Sequence, residues 1–310
     1  MGGGARACGT EVTGNAGVTG AIPRTVAVER LAVGDHTCFG FESDEERWAV
    51  RAAFVAAGLA RGERVVLLTE PGVAGGTALG RLAAHGLSAE AAVREGRLAV
   101  VTEPPGVDPA RGFDAAARTG YWVAVAGEAL ARGFTGLRVA GDMSWAARPG
   151  VDRRALAAYE TGLTPVFPRI GCTGMCEYDR RLFPAPLLEQ VLAAHPLSVL
   201  PALGALHASR HGRTLRLAGT ADLATRDEFE RYLGESAREP AREPGGGPAH
   251  ERGLDVIDLT GLGFVDAHCA RTLLRLAASG DLTVECTADQ YRLLRLCGAA
   301  ETDGVGVRVR

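Results

Sequence analysis

Two short stretches of this chain carry side chains that bind metals, "HTC" with a histidine and a cysteine and "CTGMC" with two cysteines. Imidazole nitrogens and thiolate sulfurs are ligands that Zn²⁺ prefers, so these stretches could in principle supply a metal site. The candidate ligands are His36, Cys38, Cys172 and Cys176. Their H-x-C and C-x3-C spacings are loose, and a thiol inside an apolar strand is more often a packed core residue. We therefore assign no metal and no cofactor from the sequence.

The segment "CFGFESDEERWAV" carries polar residues where nucleotide-binding α/β domains hold a phosphate. An apolar strand there runs into Ser43, Asp44, Glu45 and Glu46 rather than into a glycine-rich loop. Ser43 and Glu46 fit the S-x-x-E capping box, whose side chains bond the free N–H groups of a first helical turn. Carboxylates at the positive end of the helix dipole would also repel a polyphosphate. The segment thus predicts a capped helix in place of a phosphate site.

Lysine is absent from all 310 residues, which excludes two classes of enzyme. A phosphate-loop NTPase needs the lysine of its G-x-x-x-x-G-K-[ST] motif, and a pyridoxal enzyme needs a lysine for its Schiff base. The G-x-S-x-G motif of α/β-hydrolases is also absent. The sequence predicts a protein that is not an enzyme.

Composition indicates an ordinary globular protein. Hydrophobic residues make up 46% of the chain and the formal net charge is -3, which gives no general reason to expect binding to nucleic acid or to an anionic membrane. The seven cysteines are odd in number and scattered, a pattern typical of free thiols in a reducing cytoplasm. No apolar run approaches the roughly 20 residues of a membrane span. We expect a cytoplasmic protein.

Short apolar strands alternate with amphipathic helical stretches through the first two thirds of the chain. This alternation predicts a doubly wound α/β domain, a parallel sheet covered on both faces. A smaller α/β pattern then restarts, interrupted by the Pro/Gly-rich stretch "AREPAREPGGGPAHERG". We expect a disordered tail at 1–27, a first domain at 28–203, and a second domain at 212–310 with a flexible insertion at 237–253.

Several motifs of the first domain resemble, in order, those of the MEDS family, the methanogen/methylotroph sensory domain. They are "GDHTCFGFESDEERWAV", "GLRVAGDMSWA" and "CEYDRRLF", and the resemblance covers about residues 28–200. It implies a RecA-like fold without a working phosphate loop and a sensory role towards small organic compounds. The implied ligand-sensing residues are Asp35, His36, Cys38, Asp142, Trp145, Tyr159, Glu160, Cys176, Tyr178, Asp179 and His195. Asp142 and Trp145 follow a strand, where ligands of such sheets bind.

The second domain resembles the STAS domain of bacterial anti-sigma-factor antagonists, over about residues 212–309. The resemblance rests on "LRLAGTADLATRDEFERYL" and "DVIDLTGLGFVDAHCARTLL". In that family, a partner kinase that is also an anti-sigma factor phosphorylates the serine after the turn aspartate. Here Ala267 follows Asp266, so the phosphoacceptor is missing. The resemblance implies a partner-binding turn of Asp222, Asp258, Asp266, Ala267, His268 and Cys269, although an aspartate at this position is also a good helix N-cap.

These patterns together predict a non-enzymatic bacterial signalling protein. A sensory domain would be coupled to an anti-sigma factor antagonist-like domain and would regulate transcription through protein–protein contact. The expected partners are an anti-sigma factor or kinase-like regulator and a small organic ligand. Two alternatives remain open, a metal- or thiol-dependent enzyme in the first domain and a homo- or hetero-oligomerising scaffold.

Overall fold

The computed structural model describes residues 23–70, 72–108, 112–148, 150–238, 254–278, 282–299 and 306–310. The strands are β1 Arg24–Val26, β2 His36–Phe41, β3 Arg64–Leu68, β4 Leu98–Val101, β5 Val107–Asp108, β6 Gly112–Phe113, β7 Leu137–Asp142, β8 Cys172–Asp179, β9 Leu197–Val199, β10 Leu206–His211, β11 Thr214–Ala221, β12 Val256–Val265, β13 Thr283–Cys286 and β14 Gly306–Val309. The helices are α1 Asp44–Ala60, α2 Gly75–Ala84, α3 Glu90–Arg94, α4 Ala115–Ala131, α5 Arg153–Leu163, α6 Phe167–Ile170, α7 Ala185–Ala194, α8 Arg226–Arg238, α9 Ala267–Ala278 and α10 Ala288–Leu296. None of these described helices is long and apolar enough to cross a membrane.

Seven strands of the N-terminal part form one parallel sheet, in the order β1-β9-β2-β8-β7-β3-β4. Successive residues of a strand face opposite sides of the sheet, so both faces carry apolar side chains. Phe39 and Leu67 pack on one face with residues of α1, α2 and α3. Val66 packs on the other face with residues of α4, α5 and α6. The predicted α/β class with a parallel sheet covered on both faces is confirmed.

The first helix begins as the sequence predicts. Ser43 is the N-cap of α1, its hydroxyl accepts from the Glu46 N–H at 3.1 Å, and the Ser43 N–H donates to the Glu46 carboxylate at 3.3 Å. The predicted capping box is confirmed, and the orphan donors of the first turn are satisfied by the chain itself.

The C-terminal part forms a second, mixed sheet in the order β10-β11-β12-β13-β14. Strands β10 and β11 are antiparallel and the other pairs are parallel. Residues of α8, α9 and α10, including Phe229, Leu273 and Leu294, form a single core with this sheet. The predicted start of this domain at residue 212 is too late, because β10 begins at Leu206 and pairs with β11.

Two further predicted boundaries differ from the structure by a few residues. The predicted tail ran to residue 27, but Arg24–Val26 form the edge strand of the first sheet and pair with β9; residues 1–22 lie outside the described residues. The predicted insertion began at residue 237, but α8 continues to Arg238. The rest of the insertion, 239–253, also lies outside the described residues.

The two sheets meet through the edge strand β1. The Arg24 guanidinium donates to the Thr260 hydroxyl of β12 at 3.3 Å. Gly261 of β12 lies so close to the edge strand that a Cβ atom there would be 3.1 Å from the Thr25 carbonyl oxygen. Glycine at this position therefore lets the backbones of the two sheets approach each other.

We expect Gly174→Ala to destabilise the first sheet. A Cβ atom on Gly174 of β8 would lie 2.1 Å from the Phe167 ring, so the ring would have to move out of its packed position. The overpacking should lower the free energy of unfolding by about 1–3 kcal/mol, measured by urea denaturation followed by circular dichroism.

Gly127→Ala is the matched control, because Gly127 lies on the exposed side of α4 and its Cβ would meet nothing within 4 Å. There the same substitution should raise the free energy of unfolding by about 0.5–1 kcal/mol, since alanine favours a helix over glycine. Equal stability of the Gly174→Ala protein and the wild type would contradict the packing described.

Candidate functional site

Four side chains that could bind a ligand or a metal converge beneath the first sheet. His36 begins β2, Cys176 lies in the neighbouring strand β8, Glu160 lies in α5, and His195 directly follows α7. All four are buried, with exposures of 8% or less. We call these four residues the His–Glu–Cys cluster.

The distances within the cluster centre on one carboxylate oxygen. Glu160 Oε2 lies 3.2 Å from His36 Nε2, 3.3 Å from His195 Nε2 and 3.4 Å from Cys176 Sγ. Cys176 Sγ lies 3.6 Å from His36 Nε2. The other carboxylate oxygen, Oε1, accepts a hydrogen bond from the Tyr178 hydroxyl at 2.7 Å. One nitrogen, one sulfur or one oxygen of each cluster residue therefore lies within 4.8 Å of the other three, as a shared metal ion would require.

The Nδ1 atom of each imidazole forms a hydrogen bond outside the cluster. His195 Nδ1 donates to the Val191 carbonyl oxygen at 2.6 Å, and His36 Nδ1 shares a hydrogen bond with the Thr164 hydroxyl at 3.0 Å. The Thr164 hydroxyl in turn donates to the Ala194 carbonyl oxygen at 3.5 Å, so it accepts from His36. Both rings are thus fixed with Nε2 directed into the cluster.

Burial controls the protonation of the cluster. It lowers the pKa of His36 to about 4, and the neighbouring His195 adds to this shift. For Glu160, burial opposes ionisation, but the His195 and His36 imidazoles outweigh it and hold the pKa well below its usual value. Burial, reinforced by the Glu160 charge, raises the pKa of the Cys176 thiol well above its ordinary value. By itself, therefore, the cluster contains a carboxylate and an un-ionised thiol.

Strand β8 also serves a second site on its opposite face. Glu177 follows Cys176 in the strand and therefore points towards α1. Its carboxylate accepts from Arg47 Nε at 2.8 Å and from Arg51 Nε at 2.8 Å. Arg47 also forms ion pairs with Glu70 and Asp142. We call these five residues, Arg47, Arg51, Glu70, Asp142 and Glu177, the arginine network.

The arginine network fills the region where a phosphate would bind in a nucleotide-binding domain. Arg47 lies in the first turns of α1, and Asp142 ends the neighbouring strand β7. Burial opposes the charge of Arg47, but the carboxylates of Glu177, Asp142 and Glu70 outweigh it and raise its pKa above the ordinary value. Because the guanidinium groups are already paired with carboxylates, they are not free to bind a phosphate.

A third polar group lies beside the cluster, at a small cavity. Arg118 of α4 is 2% exposed and forms an ion pair with no carboxylate among the described residues. Its Nε donates to the Tyr159 hydroxyl at 3.0 Å and its Nη1 to the Pro105 carbonyl oxygen at 2.9 Å. Its guanidinium carbon lies 5.1 Å from the centre of the Trp145 ring and 5.7 Å from that of Trp122. The cavity of about 20 Å³ is lined by Arg118, Trp122, Val139, Gly141, Met143, Tyr159, Leu163, Phe167, Gly174, Met175 and Cys176.

The structure brings together five of the residues that the resemblance singled out. They are His36, Glu160, Cys176, Tyr178 and His195. Tyr159 and Trp145 lie around Arg118 instead, and Cys38 pairs in register with Cys176 on the adjacent strand. The remaining three lie apart from the cluster. Asp142 is in the arginine network, Asp35 accepts from the Ala32 N–H, and Asp179 pairs with Arg181.

Sequence reasoning missed the arginines and Thr164. Arg47 and Arg51 are four residues apart, so they share one face of α1, and that face is buried. Two buried arginines at this spacing were a signal for carboxylate partners. Thr164 and Arg118 gave no comparable signal, because their contacts are made with distant residues. The sequence analysis considered His36, Cys38, Cys172 and Cys176 as possible metal ligands. In the structure, the residues that lie together with His36 and Cys176 are Glu160 and His195.

In the C-terminal part, the turn before α9 is built around Asp266. Its carboxylate accepts from the Cys269 N–H at 2.7 Å, as an N-cap does, and pairs with Arg226 at 3.3 Å. Ala267 is exposed and opens α9, whereas Cys269 is buried. His268 pairs with Glu230 of α8 at 3.0 Å. The other two predicted turn residues serve local structure, Asp222 by accepting from the Ala224 N–H and Asp258 by accepting from the Thr260 hydroxyl.

We expect Arg47→Met to lower the free energy of unfolding by about 3–5 kcal/mol, because it leaves three carboxylates of the arginine network with one remaining cation, Arg51. Arg97→Met is the matched control. Arg97 forms a solvent-exposed pair with Glu95, and such pairs are worth about 0–1 kcal/mol. Chemical denaturation of both variants makes the comparison, and a similar small loss in both would contradict the role given to Arg47.

Comparison with known proteins identifies the family of the N-terminal part of the chain. No curated protein matches the chain. Among solved structures, the chain is similar to a KaiC-like protein from the hyperthermophilic archaeon Pyrococcus horikoshii OT3, with 16% sequence identity, a TM-score of 0.38, and coverage of 59% of this chain and 76% of that chain. Residues 35–196, just over half of the 310 residues, match the model of a family described as MEDS, the MEthanogen/methylotroph, DcmR Sensory domain. The matched span contains the whole His–Glu–Cys cluster and ends before the second sheet. The chain therefore belongs to the MEDS family of sensory domains.

Proposed function

We propose that this protein is a non-enzymatic bacterial signalling protein of the cytoplasm. Its MEDS domain responds to a small ligand, and its second domain, a STAS-like domain of the anti-sigma factor antagonist type, passes the response to a protein partner that controls transcription. The observation that carries the proposal is the short structural path from the buried cluster to the second sheet. The path consists of His195, β9, β1 and β12.

Each step of this path is a direct contact. His195 of the cluster lies two residues before Leu197, the first residue of β9. Leu197 pairs in register with Arg24 of β1 and also with Thr37 of β2. Arg24 in turn contacts Thr260 of β12. A change in the position of His195 would therefore move a strand that touches the second sheet.

The end of this path lies beside the predicted partner-binding turn. A cavity of about 240 Å³ separates the 3-10 turn at Val28–Arg30 from Thr220 of β11 and Gly263 of β12. Thr220 pairs in register with Phe264, two residues before the N-cap Asp266. Movement of the edge of the first sheet against this cavity would be transmitted to the turn.

The ligand site that fits a sensor best is the small cavity at Arg118. Its guanidinium has no carboxylate partner among the described residues, so a polar or anionic group of a ligand would be favourable there. Cys176 lines the same cavity, which connects a bound ligand with the cluster. A cavity of about 20 Å³ admits roughly one water molecule. The ligand class that we propose is a compound of very few carbon atoms, such as a short carboxylate, and the side chains that line the cavity would have to move apart to admit it.

The state of Cys176 supports the non-enzymatic reading over a thiol-dependent enzyme. A thiolate rather than a thiol is the nucleophile of cysteine enzymes. Burial and the Glu160 charge raise the pKa of Cys176 well above its ordinary value, so the free side chain stays protonated near neutral pH. A reactive cysteine needs the opposite shift.

The STAS-like assignment of the second domain draws support from its topology and from its turn. A mixed sheet with one antiparallel pair alternates with helices, and the strand β12 leads through an aspartate cap into α9. Two apolar side chains beside this turn are exposed, Leu223 at 75% and Phe264 at 55%. Large apolar side chains at the surface are suited to contact with another protein.

Phosphorylation cannot operate the turn at the usual position, because Ala267 carries no hydroxyl. The nearest threonine hydroxyls along the chain are in other roles. The Thr260 hydroxyl donates to Asp258 at 2.6 Å and accepts from Arg24, and the Thr272 hydroxyl accepts from Arg275 within α9. The proposal therefore places regulation in the MEDS domain.

We expect Ala267→Glu to weaken binding to the partner, because the added charge would face the docked protein from the turn and must lose water on binding. The measurement is pull-down by the full-length chain, as bait, of the anti-sigma kinases of the source bacterium. Ala288→Glu is the matched control, since Ala288 is also exposed and is the first residue of α10. Equal binding by both variants would show that the turn is not the contact, and absence of binding by the wild type to every kinase would contradict the proposed partner class.

We also expect a short carboxylate to stabilise the wild type and not Arg118→Met, which keeps an apolar stem in the cavity but removes the guanidinium. A specific ligand at a hundred times its Kd should stabilise the protein by about 2.7 kcal/mol. A thermal-unfolding screen of formate, acetate, propionate and the corresponding alcohols makes the measurement. Absence of a response from the wild type, or an equal response from the variant, would rule out Arg118 as the sensing group.

A further inference from the structure

We propose that the His–Glu–Cys cluster binds one divalent transition-metal ion, zinc in the first instance, through His36 Nε2, Glu160 Oε2, Cys176 Sγ and His195 Nε2. The inference rests on the geometry of these four atoms and stands independently of the signalling role. Neither the spacing of these residues in the sequence nor the family match assigns a metal to this chain.

Four of the six separations within the cluster are close to those of a tetrahedron around zinc. Zinc binds nitrogen and oxygen at about 2.0–2.1 Å and sulfur at about 2.3 Å. A regular tetrahedron of such bonds has edges of about 3.3 Å between nitrogen and oxygen ligands and about 3.6 Å from either to sulfur. The observed edges are 3.2 and 3.3 Å from Glu160 Oε2 to the two imidazoles, and 3.4 and 3.6 Å from Cys176 Sγ to Glu160 and His36. The ligand atoms of all four residues lie within 4.8 Å of one another, so they are close enough to share one ion.

The second partners of the ligands are those that metal sites use. A metal-bound histidine commonly donates its other ring N–H to a carbonyl or another acceptor, which fixes the ring and its tautomer. His195 does so to the Val191 carbonyl oxygen, and His36 does so to Thr164. Tyr178 holds the free oxygen of the Glu160 carboxylate. Each of these three ligands is therefore oriented before a metal arrives.

One ligand nitrogen of the cluster has no other use. His195 Nε2 is buried and has no hydrogen-bond partner among the described residues, although it lies 3.3 Å from the Glu160 carboxylate. A neutral ring that donates through Nδ1 directs the lone pair of Nε2 into the cluster, which is the form in which histidine binds a metal. A cation between Nε2 and the carboxylate would be bonded by both.

Charge balance also favours a divalent ion. A 2+ ion bound by the Cys176 thiolate, the Glu160 carboxylate and two neutral imidazoles gives a site of net charge zero. Binding releases the thiol proton to solvent, as metal binding by cysteine does. A neutral site suits the complete burial of these groups better than an isolated carboxylate does.

The donor set selects the class of metal. Two imidazoles and a thiolate favour zinc and its transition-metal neighbours, whereas Mg²⁺ and Ca²⁺ prefer oxygen ligands. Four protein ligands complete the tetrahedron, which is typical of a structural zinc site rather than a hydrolytic one with an open position. The ion would join strands β2 and β8 to α5 and to the segment between α7 and β9.

The test is direct metal analysis of the full-length protein. The chain is purified under reducing conditions, stripped with a chelator, incubated with zinc chloride and separated from free metal, and its zinc is measured by mass spectrometry. A parallel sample receives cobalt chloride. We expect one zinc per chain, and for cobalt both the strong visible bands of a tetrahedral ion and a thiolate-to-metal charge-transfer band. Protein that stays metal-free, or cobalt spectra typical of six oxygen ligands, would overturn the proposal.

Matched variants locate the site. Cys176→Ala should lose the charge-transfer band and stoichiometric zinc, while Cys172→Ala, the same change at a buried cysteine four residues earlier in β8, should keep both. Tyr178→Phe, which alters a second partner only, should weaken zinc affinity by about 10–100-fold. Equal zinc in Cys176→Ala and Cys172→Ala would place the metal elsewhere. Should Cys176→Ala not fold, the unfolding midpoint of the wild type decides, because it must rise in zinc relative to chelator if the proposal is correct and stay unchanged if it is not.

Discussion

Charge buried inside the first domain is the constraint on which the rest of its structure depends. A parallel sheet covered on both faces keeps water away from side chains that point off its central strands, so an ionised group there must find its counter-charge within the protein. Arg138 of β7 does so with Glu63, and Arg47 does so with three carboxylates. Among the described residues, the polar groups that contact the Glu160 carboxylate are two imidazoles, a thiol and a phenol. That difference separates a structural network from a site that can take up a ligand or a metal.

The two sites are kept apart by the alternation of strand β8. Glu177 faces α1 and completes the arginine network, whereas Cys176 and Tyr178 face the helices of the other side and meet Glu160. The network occupies the carboxyl ends of the strands, the region in which nucleotides bind in related architectures. The ligand and metal sites that we propose lie instead on one face of the sheet, under α5 and α7.

This displacement gives the buried site a route to the second domain. The face that holds the cluster is bordered by β9, which begins two residues after His195 and pairs with the edge strand β1. An edge strand is free on one side, and here that side contacts β12. A site at the strand ends, above the centre of the sheet, would have no comparable contact. The position of the cluster and the position of the second domain are therefore parts of one arrangement.

The sequence predicted local features well, because each depends on neighbouring residues. The capping box of Ser43 and Glu46 is an example, since both partners lie within one turn of the chain. The strand and helix alternation predicted the α/β class for the same reason. The edge strand β1 escaped prediction, because its three residues form a strand only through pairing with β9, far along the chain. The four residues of the His–Glu–Cys cluster were all named through the resemblance to a family, but the grouping of His36 with Glu160 and His195 was not predicted, and the arginines were missed.

The sequence by itself determined the absence of lysine chemistry, the capped start of α1, the alternation of strands and helices, and the missing hydroxyl at Ala267. Only the tertiary structure decided which candidate side chains meet. His36 and Glu160 are 124 positions apart, and they come within 3.2 Å because β2 lies next to β8 and α5 packs beneath both. Spacing along a chain fixes which face of a strand or helix a residue occupies. It does not fix which other element packs against that face, since that depends on the burial of the whole domain.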